Sequence, residues 1–81
     1  MSTFTAIVEY WHEDLQRPVM ETFKRPTRLS AMYAARHALK TGFTRPNYIP
    51  ECARVEDANE CVVAAYEVEI DRIVPKPFGN T

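Results

Sequence analysis

Thr27 to Gly42, TRLSAMYAARHALKTG, is the only stretch of the chain with a helical period, and it limits what the rest can fold into. Ala31, Met32, Ala35, Ala38 and Leu39 recur at spacings of three and four, so they share one face. That face is mostly alanine, which lets a helix axis lie close to a flat partner such as a β-sheet. The opposite side carries Tyr33, Arg36, His37 and Lys40. Arg25-Pro26-Thr27 marks the entry: the residue before proline is driven away from helical angles, and Thr27 can accept a first-turn N–H. Ser30 is a competing cap one turn later. Gly42, after Lys40 and Thr41, is expected as a left-handed residue that ends the helix.

The segments on either side read as strands. From Thr3 to His12, Phe4, Ala6, Val8 and Tyr10 alternate with Thr5, Ile7, Glu9 and Trp11. His12 to Pro18, HEDLQRP, is a polar reversal, so Val19 to Lys24 should return antiparallel. Phe43 to Pro50 holds two prolines and an asparagine and reads as a loop whose Phe43, Tyr48 and Ile49 plug the core edge. Cys52 to Glu56 is a short strand, and Asp57-Ala58-Asn59-Glu60 has turn chemistry. Cys61 to Ile70 is the longest strand signal. It puts Val62, Ala64, Tyr66, Val68 and Ile70 on the core side, with Cys61, Val63, Ala65, Glu67 and Glu69 opposite. Asp71 extends that acidic stripe. Ile73 and Val74 break the alternation, as at a bulge or where a chain crosses a sheet edge. Pro75-Lys76-Pro77 should end the structure, leaving residues 76–81 as a loose tail.

The expected fold is therefore α+β: one small domain over residues 1–81, with an antiparallel sheet of about four strands and one helix on one face, ββαββ. Hydrophobic residues at 46% and charged residues at 26% suit a globular chain of 81 residues. The net charge of −1 conceals a division. Residues 1–50 hold seven Lys and Arg against four Asp and Glu, whereas residues 51–81 hold three against seven. The start, MSTFTAIVEYW, has no basic n-region, and no segment approaches the roughly 20 apolar residues of a membrane span. The expectation is a cytoplasmic protein with no membrane contact, in which Cys52 and Cys61 stay reduced.

No residue pattern identifies a chemistry. Cys52 and Cys61 are nine apart, and His12 and His37 lie elsewhere, which is not a metal-ligand spacing. Gly42 and Gly79 are the only glycines, so there is no phosphate-cradling loop. Neither a cofactor nor catalytic residues are expected. Two surfaces remain. Arg36 and Lys40 lie one turn apart on the helix with Tyr33 and His37 beside them. Lys24, Arg25, Arg28 and Arg45 come from adjoining loops, and such a cluster can hold phosphates. On the outer side of the sheet, Ile7, Glu9 and Trp11 should match Val63, Ala65, Glu67, Glu69 and Asp71. Carboxylates at alternate strand positions recur about every 6.7 Å. An apolar area ringed by carboxylates is suited to protein contacts. The C-terminal tail or a second copy in a homodimer are the competing covers for that face.

The order of hairpin, helix and closing hairpin, with the helix opening on Leu29-Ser30 and running through Ala31, Ala34, Ala35 and Ala38, resembles small phage- and mobile-element-encoded proteins. Anti-CRISPR inhibitors of multi-subunit type I interference complexes are among them. The resemblance is one of layout, and no functional residue is carried across. It implies a non-enzymatic, stoichiometric binder of a bacterial CRISPR–Cas effector complex in the host cytoplasm, blocking nucleic-acid binding or a conformational step. A similar layout occurs in double-stranded-RNA-binding-like folds. On the first reading Glu9, Trp11, Glu67, Glu69 and Asp71 meet the partner. On the second, a small nucleic-acid-binding module, the contacts are Arg28, Tyr33, Arg36 and Lys40.

Overall fold

The computed structural model describes residues 3–70 and 72–76. In chain order the elements are β1 (Phe4–His12), β2 (Arg17–Arg25), α1 (Arg28–Gly42), β3 (Tyr48–Glu56), β4 (Val62–Glu69) and β5 (Arg72–Pro75). All pairings are antiparallel, and the spatial order is β2-β1-β3-β4-β5. The fold is α+β as expected, but with five strands in the order ββαβββ rather than four. No helix among the described residues is long and apolar enough to cross a membrane.

The helix begins as its sequence dictates. Thr27 is the N-cap, its side chain accepts from the Ser30 N–H, and the Ser30 hydroxyl accepts from the Thr27 N–H in return. The two competing caps are thus one reciprocal box. Ala31, Ala34, Ala35, Ala38 and Leu39 are buried against Ala6, Val8 and Tyr10 of β1, Ala53 and Val55 of β3, and Ala64 and Tyr66 of β4. Leu39 is fully buried, which contributes about 2 kcal/mol. The Tyr10 hydroxyl donates to the Ala38 carbonyl at 3.3 Å.

Gly42 corrects an expectation. It lies inside the helix and is buried, and the cap that follows is Phe43 with a right-handed φ of −63°. A Cβ at Gly42 would meet Tyr10 Cε1 at 2.9 Å and Pro50 Cβ at 3.3 Å. Glycine is present here so that the helix end can approach the sheet closely, not to reverse the chain.

Other departures come from the strands and the segments that flank them. β3 begins at Tyr48, inside what reads as a loop. It tolerates Pro50 because the register shifts between Glu9 and Tyr10, with Cys52 opposite Glu9 and Pro50 opposite Tyr10. Phe43 and Ile49 are exposed rather than plugging the core, and only Tyr48 packs against it. A second shift, between Val55 and Glu56, leaves Val63 as the extra residue of β4. Val63 therefore packs on the core and Val62 is exposed, the reverse of simple alternation.

Ile70, expected in the core, is fully exposed at φ 60°, in the short link to β5. Ile73 and Val74 belong to that fifth strand, with Ile73 opposite Val68 and packed on the core. The Lys76 N–H donates to Ala65 O at 2.9 Å, so the tail expected to begin at residue 76 is still bonded there. Residues 77–81 lie outside the described residues, as does Asp71. The Asp57–Glu60 turn is present: the Asp57 carboxylate accepts from the N–H groups of Asn59 and Cys61.

Candidate functional site

The helix covers one face of the sheet, so the other face is open among the described residues. Register and alternation set out that face in rows. One row runs Met20, Glu9, Cys52, Glu67, Val74, and the next runs Thr22, Ile7, Arg54, Ala65. Met20 is 61% exposed and Ile49, opposite Trp11, is 45% exposed. Ile7 is almost fully buried although no helix covers its side of the sheet.

The strand order changes the acidic stripe. β1 and β4 are not neighbours, since β3 lies between them and brings Arg54 into the middle of the face. Arg54 Nη1 donates to Glu9 at 3.2 Å and its Nε to Glu56 at 2.8 Å. The Glu56 hydrogen bond outweighs partial burial and raises the Arg54 pKa above its usual value. Glu67 lies 3.5 Å from Lys76 Nζ. Glu69 is exposed and stands opposite Arg72 in the ladder. Of the residues expected to meet a partner, Glu9, Trp11, Glu67 and Glu69 thus share one face, with Glu9 and Glu67 each paired to a cation. Asp71 is outside the described residues.

Cys52 sits between Glu9 and Glu67 in the same row. Burial pushes its thiol above the usual range, and the charges of Glu9 and Glu51 add to the rise. Cys61 is exposed at the β3–β4 turn, so the two thiols lie at different ends of the ladder. Among the described residues, no three His, Cys, Asp or Glu side chains gather as a metal site requires.

The second candidate surface is the helix. Its fifteen residues include Arg28, Arg36 and Lys40 and no carboxylate. Arg28 Nη2 donates to Val63 O at 3.1 Å, anchoring the helix start beside β4. Tyr33 and His37 stack on one another with ring centroids 5.6 Å apart and planes 12° from parallel. Arg45, expected in this basic cluster, is elsewhere engaged: its Nη1 donates to Glu21.

Sequence reasoning missed Arg54, which decides the charge of the open face. The signal for it was a cation flanked by strand residues, but its consequence depends on β3 lying beside β1. It also missed Ile73, whose position opposite the helix follows from the fifth strand. We find no match to any protein-family model, curated protein or solved structure.

Proposed function

We propose that this chain is a non-enzymatic binding protein that docks the helix-free face of its sheet on another protein. The observation that carries the reading is that one helix covers one side of a five-stranded sheet. The other side presents Met20, Trp11 and Ile49 beside Glu9, Glu67 and Glu69. Apolar side chains surrounded by charge suit a protein partner, and Trp11 is the natural anchor. Glu69 offers a carboxylate without an ion pair among the described residues, favouring a basic partner surface. Paired Glu9 and Glu67 can exchange their cations for those of a partner. The layout resemblance supplies the partner class: a type I CRISPR–Cas effector complex, inhibited by stoichiometric binding in the host cytoplasm.

The test mixes the purified chain with a purified guide-loaded type I complex and follows co-elution and target-DNA binding. A one-to-one complex that loses DNA binding supports the reading. Trp11→Ala with Glu69→Lys should weaken it at least about tenfold, as loss of an interface anchor does. No complex at micromolar concentration removes the CRISPR partner. Undiminished binding by the double variant removes the sheet face. A concentration-dependent homodimer abolished by the same double variant would assign the face to a second copy instead.

A further inference from the structure

The helix does not sit centrally on the sheet. Its closest packing is on β1 and β3, and it touches β4 and β5 least. A trough is left between α1 and the β4–β5 edge. One end, about 340 Å³, is lined by Arg28, Met32, Arg36, Val63, Tyr66 and Ile73 among others. The middle, about 290 Å³, is formed by Tyr33, Arg36, His37, Lys40 and Ile73. The far end, about 450 Å³, is formed by Lys40, Phe43, Arg72 and Ile73. Arg36, Lys40 and Ile73 are each shared between sections, so the three make one continuous trough.

Among the described residues, none that lines a section carries a carboxylate. Among the described residues Arg28, Arg36, Lys40 and Arg72 make no ion pair, while Lys76, at the rim, is held by Glu67. Along the helix axis Arg36 follows Arg28 by about 12 Å and Lys40 follows Arg36 by about 6 Å. The trough floor is apolar, from Ile73, Met32 and Phe43. Tyr66, only 5% exposed, contributes to its wall, and its buried hydroxyl has no hydrogen-bond partner among the described residues. Beside the cations, Tyr33 is 69% exposed and stacked on His37, presenting a flat aromatic surface to solvent.

We infer that this trough binds single-stranded nucleic acid, with the phosphates along Arg28, Arg36 and Lys40 and a base stacked on Tyr33. A row of cations with an aromatic platform beside it is the arrangement that holds an unpaired strand without reading its sequence. A duplex would engage the phosphate row alone, because its bases cannot reach Tyr33 or the apolar floor. An acidic peptide would use the cations but has no need of the stacked ring pair. The trough lies on the opposite side of the sheet from the face proposed for protein docking, so the two inferences stand or fall separately.

The test is fluorescence anisotropy with the full chain and a labelled oligothymidylate of about 12 nucleotides. A duplex and a polyglutamate peptide of matched charge serve as competitors. Binding should appear at about 50 mM salt and weaken roughly tenfold or more by about 200 mM, as expected for about three phosphate contacts on a single strand. Arg36→Glu with Lys40→Glu should weaken binding at least about tenfold at low salt. Tyr33→Ala should weaken it while leaving the salt slope unchanged. Arg17→Glu with Lys24→Glu, the same charge change on β2, should have a much smaller effect. No binding at low salt overturns the inference, as does an Arg36/Lys40 variant no weaker than the β2 variant. Competition by the duplex or by polyglutamate as strong as by unlabelled oligothymidylate overturns it too. All four cations are exposed, and circular dichroism of each variant verifies the fold.

Discussion

Arg45 lies over the face of Tyr48, its guanidinium carbon 3.8 Å from the ring centroid, while its Nη1 reaches the two carboxylate oxygens of Glu21 at 3.0 and 3.1 Å. The same guanidinium is 5.2 Å from the centroid of Tyr10, whose ring meets Tyr48 edge-on. One cation therefore joins β1, β2 and β3 from the loop after the helix. Arg45→Met should destabilise the fold by about 1 kcal/mol, the low end for a cation–π contact together with a partly exposed ion pair. Urea unfolding of Arg45→Met, Glu21→Gln and the double variant measures it, and additive effects would show that the two side chains do not act as a pair.

Gly42→Ala tests the close approach of helix and sheet. Alanine is the better helix former by about 1 kcal/mol. Here its Cβ would press on Tyr10 at 2.9 Å and on buried Pro50 at 3.3 Å. Overpacking of that kind costs about 1–3 kcal/mol, so the expected net effect is a loss of about 1 kcal/mol. A gain in the urea midpoint would mean that Tyr10 moves aside freely.

Removal of the helix cap should cost a similar amount. Thr27→Ala takes away the oxygen that accepts the Ser30 N–H, for a loss of about 1 kcal/mol. Because Ser30 returns a bond to Thr27, the Ser30→Ala change should cost less in the Thr27→Ala background than alone. Thermal melts of the four proteins read both effects.

Alkaline pH should weaken the fold. Tyr10 and Tyr66 both have pKa values raised above 10.0, in each case mainly by burial. For Tyr10 the charge of Glu21 adds to the rise; for Tyr66 the charges of Arg36 and Arg28 oppose it. The unfolded chain then releases these protons first. Their contribution is fully present below 10 and is lost as pH climbs through the folded values. Urea midpoints at about pH 8 and about pH 11 should fall accordingly. Tyr66→Phe should make that fall shallower and also remove a buried hydroxyl that has no partner among the described residues, gaining about 1 kcal/mol at neutral pH.

The two thiols should label in sequence. Exposed Cys61 reacts with iodoacetamide first. Cys52, whose thiol burial and then Glu9 and Glu51 raise above 9.0, should react slowly and mostly at higher pH. Glu9→Gln should lower its alkylation midpoint, which mass spectrometry of quenched samples follows.

What the sequence revealed was local. The alanine period, Thr27 and Ser30 specify the helix, alternation specifies the first hairpin, and Asp57 specifies the β3–β4 turn. What it concealed depends on residues far apart in the chain. Pro50 reads as a strand breaker, but the register shift opposite Glu9 and Tyr10 accommodates it. Val62 and Val63 exchange faces at a bulge that alternation cannot foresee. Ile73 looks like a break in a pattern because its partner, Val68, belongs to the preceding strand. The charge of the open face was misjudged because Arg54 reaches Glu9 only when β3 lies between β1 and β4. On the helix Arg28, Tyr33, Arg36 and Lys40 were legible as a basic face. The opposite bank of the trough was not, since Ile73 and Arg72 arrive there with a strand the sequence does not announce.

Five strands spaced about 4.8 Å apart make a floor about 19 Å wide, and a helix with its side chains is only about 10 Å across. A single helix can roof about half of that width, and this one packs closest on β1 and β3. The eave this creates over β4 and β5 needs no dedicated residue to shape it: small side chains under one end of the roof leave a gutter along the other. Enlarging an alanine in that row would therefore alter a distant trough by lifting its edge, with every cation along the trough still in place.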